Sequence, residues 1–145
     1  MTVGLDTNVL CYALDPAFPE HRECVGFLQD LRADRKVAVN PTVVHETYHT
    51  LVYRQKWVVD DALERLLALL RHPYVVFCSQ TKRICTTALH LAVAHNLGGR
   101  DSLIIANYLL NDVPVLQTHD DELKGLGQID WRGKSIKFVD PIGGI

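Results

Sequence analysis

Short apolar runs recur along this chain, and the segments between them carry apolar residues at helical spacing. The first run, Thr2–Leu5, stops abruptly at Asp6. Val37–Val39, Tyr74–Cys78, Val113–Gln117 and Ile136–Val139 follow. Runs this short, rich in β-branched residues, read as buried strands. The intervening segments read as helices: Asn8–Leu14, stopped by Asp15-Pro16, and about Glu20–Arg32, with Cys24, Phe27, Leu28 and Leu31 on one face. A third runs from Pro41 to about Arg54 with Asn40 as its cap. Asp60 caps the next, which ends before Pro73, and Thr81–Asn96 is closed by Gly98-Gly99. Arg100–Asn111 is the last long helix, and Thr118–Leu123 reads as a polar turn leading into a short helical segment. Strands alternating with helices imply a mostly parallel sheet with helices on both faces. The expectation is an α/β fold, a three-layer α/β/α sandwich around four to five strands, formed by residues 1–145 as a single domain.

The composition fits a globular protein, with 48% hydrophobic and 22% charged residues. No apolar run is long enough to cross a bilayer, and no basic region followed by an apolar segment opens the chain. A cytoplasmic setting and no membrane contact are expected. Cys11, Cys24, Cys78 and Cys85 lack CxxC spacing and read as free thiols. A net charge of −2 argues against a protein that coats nucleic acid. It leaves room for an enzyme that grips nucleic acid through metal ions and a few local cations.

Asp6 stands at the carboxyl end of the first strand, where open α/β sheets place their ligands. Asp120 follows a later strand, and Glu46 and Asp101 lie in the N-terminal halves of helices, which in a parallel fold reach the same edge. Taken singly, each has an ordinary explanation as a helix cap, a dipole partner or a turn residue. Taken together, four carboxylates at one edge repel unless a proton or cation intervenes. Oxygen ligands suit Mg²⁺ or Mn²⁺, and such ions can activate water for phosphodiester hydrolysis.

Four segments carry a resemblance. Leu5-Asp6-Thr7-Asn8-Val9-Leu10, Pro41-Thr42-Val43-Val44-His45-Glu46, Gly99-Arg100-Asp101 with its apolar helix, and Thr118-His119-Asp120 resemble, in order, the acidic motifs of PIN-domain nucleases. The small VapC-type toxins of toxin–antitoxin modules are the most similar group. The resemblance implies a metal-dependent endoribonuclease whose Asp6, Glu46, Asp101 and Asp120 hold Mg²⁺ or Mn²⁺. It implies that Thr118 and Asn8 support the carboxylates and that Glu122, in competition with Asp121, helps hold a second ion. Its further implications are a homodimer, an antitoxin partner and an RNA substrate, although PIN domains also process RNA without any toxin role. Arg100, beside Asp101, is the leading candidate for a phosphate contact.

Three other readings compete. His45-Glu46-Thr47-Tyr48-His49 matches HExxH, in which two histidines one helical turn apart hold Zn²⁺ and the Glu is the base of a protease. That reading leaves Asp6, Asp101 and Asp120 unused. A haloacid-dehalogenase-like phosphatase would want an Asp where Asn8 stands and a lysine such as Lys82. A non-catalytic RNA-binding domain is the third, and the intact acidic positions count against it.

Overall fold

The protein is described by a computed structural model covering residues 1–143. The chain begins with β1 (Thr2–Leu5) and α1 (Thr7–Leu14), then two single turns, α2 (His21–Cys24) and α3 (Gly26–Gln29). β2 (Lys36–Val39) leads into α4 (Pro41–His49), which continues as a π-helical turn over Thr50–Arg54, and then α5 (Val59–Arg71). β3 (Val75–Phe77), α6 (Lys82–His95), α7 (Gly99–Leu110) and β4 (Val115–Gln117) follow. The chain closes with α8 (Asp121–Leu126), β5 (Gln128–Trp131) and β6 (Lys134–Val139). The strands form one sheet in the order β3-β2-β1-β4-β6-β5, parallel throughout except for β5. The expected α/β architecture is present, with one strand beyond the four to five anticipated.

The extra strand is β5, an edge strand paired antiparallel to β6. Its hairpin turns through Arg132 and Gly133, both with positive φ (47° and 83°), as a tight two-residue turn demands. The helix expected over Glu20–Arg32 is interrupted at Val25, so that only two short pieces form. Gly26, with its low helix propensity, stands at that break. Val58 rather than Asp60 is the cap residue of α5, and Asp60 sits in the first turn instead. Cys11, Cys24 and Cys78 are buried free thiols as expected, whereas Cys85 is exposed.

The placement of α7 matters most for the site. Ile104, Ile105, Ala106, Tyr108 and Leu109 are almost wholly buried. A side chain at Gly4 would come within 2.9 Å of the Tyr108 ring, so the glycine lets α7 lie down on β1. The Tyr108 hydroxyl donates to the carbonyls of Leu5 (2.7 Å) or Ala38 (3.1 Å). Asn107 Nδ2 donates to the Cys78 carbonyl at 3.0 Å, beyond the end of β3. These bonds fix the helix across three strands.

Candidate active site

Asp6 is the cap of α1 and sits where β1 ends, beside the end of β4. Its backbone N–H donates to the Gln117 carbonyl (3.0 Å). One carboxylate oxygen, Oδ1, accepts from the Thr7 amide at 2.8 Å, and Oδ2 accepts from the Thr118 hydroxyl at 2.7 Å. Thr118 Oγ1 in turn accepts from the Asp120 amide at 3.1 Å, which ties the two strand ends together. Burial raises the Asp6 pKa and outweighs the hydrogen bonds from Thr118 and Thr7; the neighbouring Asp101 charge pushes it the same way.

Glu46 reaches the same place from α4. Its Oε1 accepts from the Thr7 hydroxyl at 2.7 Å, and its Oε2 pairs with Arg100 Nη1 at 3.1 Å. Arg100 Nη2 lies 3.5 Å from Asp101 Oδ1. Partial burial works against the Arg100 charge, but Glu46, Asp101 and Asp6 more than offset it and raise its pKa. One guanidinium therefore pairs with two carboxylates, from α4 and α7, and sits in the field of a third, Asp6, at the end of β1.

The structure thus brings Asp6, Glu46 and Asp101 together, whereas Asp120 is tied to Thr118 only through its backbone amide. Asp120 Oδ1 also caps α8 by accepting from the Leu123 amide at 3.0 Å. Asn8, expected to support the carboxylates, is exposed, and Thr7 makes the contact to Glu46. Asp121 pairs with Lys124, while Glu122 is exposed in the first turn of α8. His45 and His49 are both exposed, and His49 packs against Tyr53 with ring centroids 4.8 Å apart. Glu46 is turned into the acidic cluster, where Thr7 and Arg100 engage it.

Sequence reasoning overlooked Asp140, which follows β6 much as Asp6 follows β1. It accepts from Lys124 (2.8 Å), the Ile142 amide (2.9 Å) and His119 (3.1 Å). Burial pushes its pKa up, but these hydrogen bonds outweigh it and hold the carboxylate below its ordinary range. Its position after a strand was the available signal.

Among the described residues no three His, Cys, Asp or Glu side chains stand in a metal-holding arrangement. The donors nonetheless fit a hard divalent cation, because all are carboxylate oxygens, and those of Asp6 and Glu46 are oriented by threonine hydroxyls. Glu46 Oε2 and Asp101 Oδ1 are engaged by a guanidinium whose side chain is 61% exposed, so both can be released without disturbing the core.

A mostly parallel sheet with an acidic cluster at the carboxyl ends of its central strands defines an α/β domain with its charged groups at the edge where such sheets bind ligands. The PIN domain model matches residues 3–128, and the chain belongs to the PIN domain family. Its fold is also that of solved VapC structures. VapC20 of Mycobacterium tuberculosis, described as a sarcin-ricin loop cleaving toxin, superposes with a TM-score of 0.71 at 16% identity, covering 86% of this chain and 95% of that one. A chain of the VapBC2 structure from Rickettsia felis, bound to a DNA fragment from its promoter, gives 0.68 at 15% identity over 97% and 98%. No curated protein matches the chain in sequence. Among the described residues no helix is long and apolar enough to cross a membrane.

Proposed function

We propose that this protein is a Mg²⁺- or Mn²⁺-dependent endoribonuclease and the toxin component of a type II toxin–antitoxin module. The observation that carries the reading is the pairing of Glu46 and Asp101 with Arg100, beside the buried Asp6, at the carboxyl edge of a PIN-family sheet. Asp6, Glu46, Asp101 and Asp120 would hold the ion, with Glu122 as a further candidate ligand. When bound, such an ion lowers the pKa of a water and stabilises the leaving oxygen of a phosphodiester.

The chain's own residues do the positioning. Thr118 and the Thr7 amide hold the two oxygens of Asp6 in fixed directions, and the Thr7 hydroxyl does the same for Glu46 Oε1. Arg100 balances the carboxylates until a cation replaces it, and its guanidinium is then available to pair with a phosphate oxygen. RNA as substrate and a protein antitoxin as partner follow the similarity to the two VapC structures. This reading puts the protein in the cytoplasm as a homodimer.

The test is cleavage of a structured RNA by metal-stripped protein, with Mg²⁺, Mn²⁺ or Zn²⁺ added back separately. Activity should return with Mg²⁺ or Mn²⁺ and fall at least a hundredfold in Asp101→Asn, whereas His45→Ala and His49→Ala should cleave normally. Equal activity in Asp101→Asn, or none with any ion, would remove the reading.

A further inference from the structure

At the other end of α7 from Asp101 lies a cleft of about 510 Å³ between α6 and the β5–β6 hairpin. Lys82, Arg83, His90, Trp131, Arg132 and Lys134 line it, together with Leu110 and two threonines, and among the described residues no carboxylate does. Asp101 and Leu110 stand nine residues apart on one helix, or roughly 14 Å at 1.5 Å per residue, so the cleft is separate from the acidic cluster. Four permanent cations on one concave surface, one of them (Lys134) balanced by Asp112, are a local excess in a chain of net charge −2.

Two features indicate what the cleft accepts. Lys82 and Arg83 occupy the first turn of α6, where the helix dipole disfavours cations, and no acidic residue accompanies them. An anion in the cleft would meet these side chains and the positive helix end together. Trp131 supplies the second feature. His90 stacks near it with centroids 6.0 Å apart and planes 27° apart, and the Arg132 guanidinium carbon lies 5.2 Å from its ring centre. Lys82, Arg83, His90 and Arg132 are exposed, and among the described residues Lys134 alone of the four cations is paired, to Asp112.

We infer that this cleft binds a single-stranded segment of RNA, with Lys82, Arg83 and Arg132 on the phosphates and a base stacked at His90–Trp131. Cations that track a backbone beside an aromatic platform are the combination by which single strands are held without sequence reading. The assignment rests on the nuclease reading above for its choice of RNA. It gives that reading a second anchor, able to grip a substrate away from the scissile bond.

The experiment uses the full chain as Asp101→Asn in EDTA, so that a labelled single-stranded RNA of about 12 nucleotides stays intact. At about 100 mM salt, Arg83→Gln/Arg132→Gln should weaken binding about tenfold and flatten the slope of log K against log salt by about 1.4 for two lost phosphate contacts. Arg83→Lys/Arg132→Lys should restore the slope. RNA should also quench tryptophan fluorescence, and Trp131→Phe should abolish most of that quenching, leaving Trp57 as reporter. Unchanged affinity and slope in the Gln variant would overturn the proposal, as would equally tight binding of a duplex DNA with the same losses. In metal-loaded protein with Asp101 intact, the Gln variant should raise KM for RNA and leave kcat unchanged. If the metal-loaded wild type does not cleave RNA the nuclease reading fails, while the binding measurement still decides the cleft.

Discussion

Asp6 is held by two hydrogen bonds in a nearly dry position, and the balance between them and desolvation sets how it responds to pH. Because burial raises its folded pKa above the unfolded value near 3.8, the folded state keeps its proton to higher pH than the unfolded state does. The stability this contributes is complete below 3.8 and is lost as pH rises through the folded value. In EDTA, Asp6→Asn should therefore gain on wild type across that window and melt higher at neutral pH. Thermal melts from pH 3 to 7 check this, and a gap that narrows with rising pH would refute it. Added Mg²⁺ should then raise the melting temperature of wild type more than that of Asp6→Asn. At this scale the carboxylates were legible, since acids at strand ends and early in helices leave a pattern in the chain. Thr7 was not, because a threonine after a strand looks like any helix cap. Asn8 was expected to support the carboxylates and is exposed; whether Thr7 or Asn8 faces Glu46 depends on the rotation of α1, which no local pattern fixes.

The element that carries the site into place is α7. It has one polar bond to the ends of β1 and β2, from Tyr108, and one close approach, at Gly4. Tyr108→Phe removes the hydroxyl that serves the Leu5 and Ala38 carbonyls in a fully buried place, at a cost of about 1–3 kcal/mol. Gly4→Ala forces the ring off β1 by overpacking, again by about 1–3 kcal/mol. Urea unfolding would show both as lower midpoints with unchanged m-values, and wild-type stability in either variant would contradict this packing. The same scale shows which parts of the fold the chain advertises. β1 to β4 and β6 are apolar runs and were readable as strands. β5 is an edge strand in which only Ile129 is deeply buried, so its alternation is faint, and its Arg132-Gly133 turn lacks the usual Asn or Asp signal. Just beyond the π-helical turn after α4, Asp15 accepts from Gln55 and Trp57, 40 and 42 residues along the chain, in bonds that hold the end of the turn against α1. Nothing local in Thr50–Arg54 reports them.

On the molecule as a whole, α5 is apolar on more than the face it buries. Ala62, Leu66 and Leu69 enter the core, while Val59, Leu63, Leu67 and Leu70 line a groove with Val44, His45 and Tyr48 of α4 and remain open to solvent. Leu63 alone is 53% exposed. A helix apolar on this much of its surface belongs under cover, and a contiguous exposed patch of this kind marks a protein contact. A second copy of the chain is the occupant expected under the homodimer reading. Sedimentation should find wild type as a dimer at micromolar concentration and Leu63→Glu/Leu67→Glu as a monomer. Both positions are solvent-facing, so the variant's monomer fold should change by no more than about 0.5 kcal/mol. Asp6, Glu46, Asp101 and Arg100 are contributed by one chain, and the face on α4 and α5 takes no part in their contacts. Metal-restored cleavage per chain should therefore survive in the monomeric variant. A wild type that sediments as a monomer would reserve the face for a different protein, and a monomeric variant that loses cleavage while keeping its fold would show that the site needs the second copy.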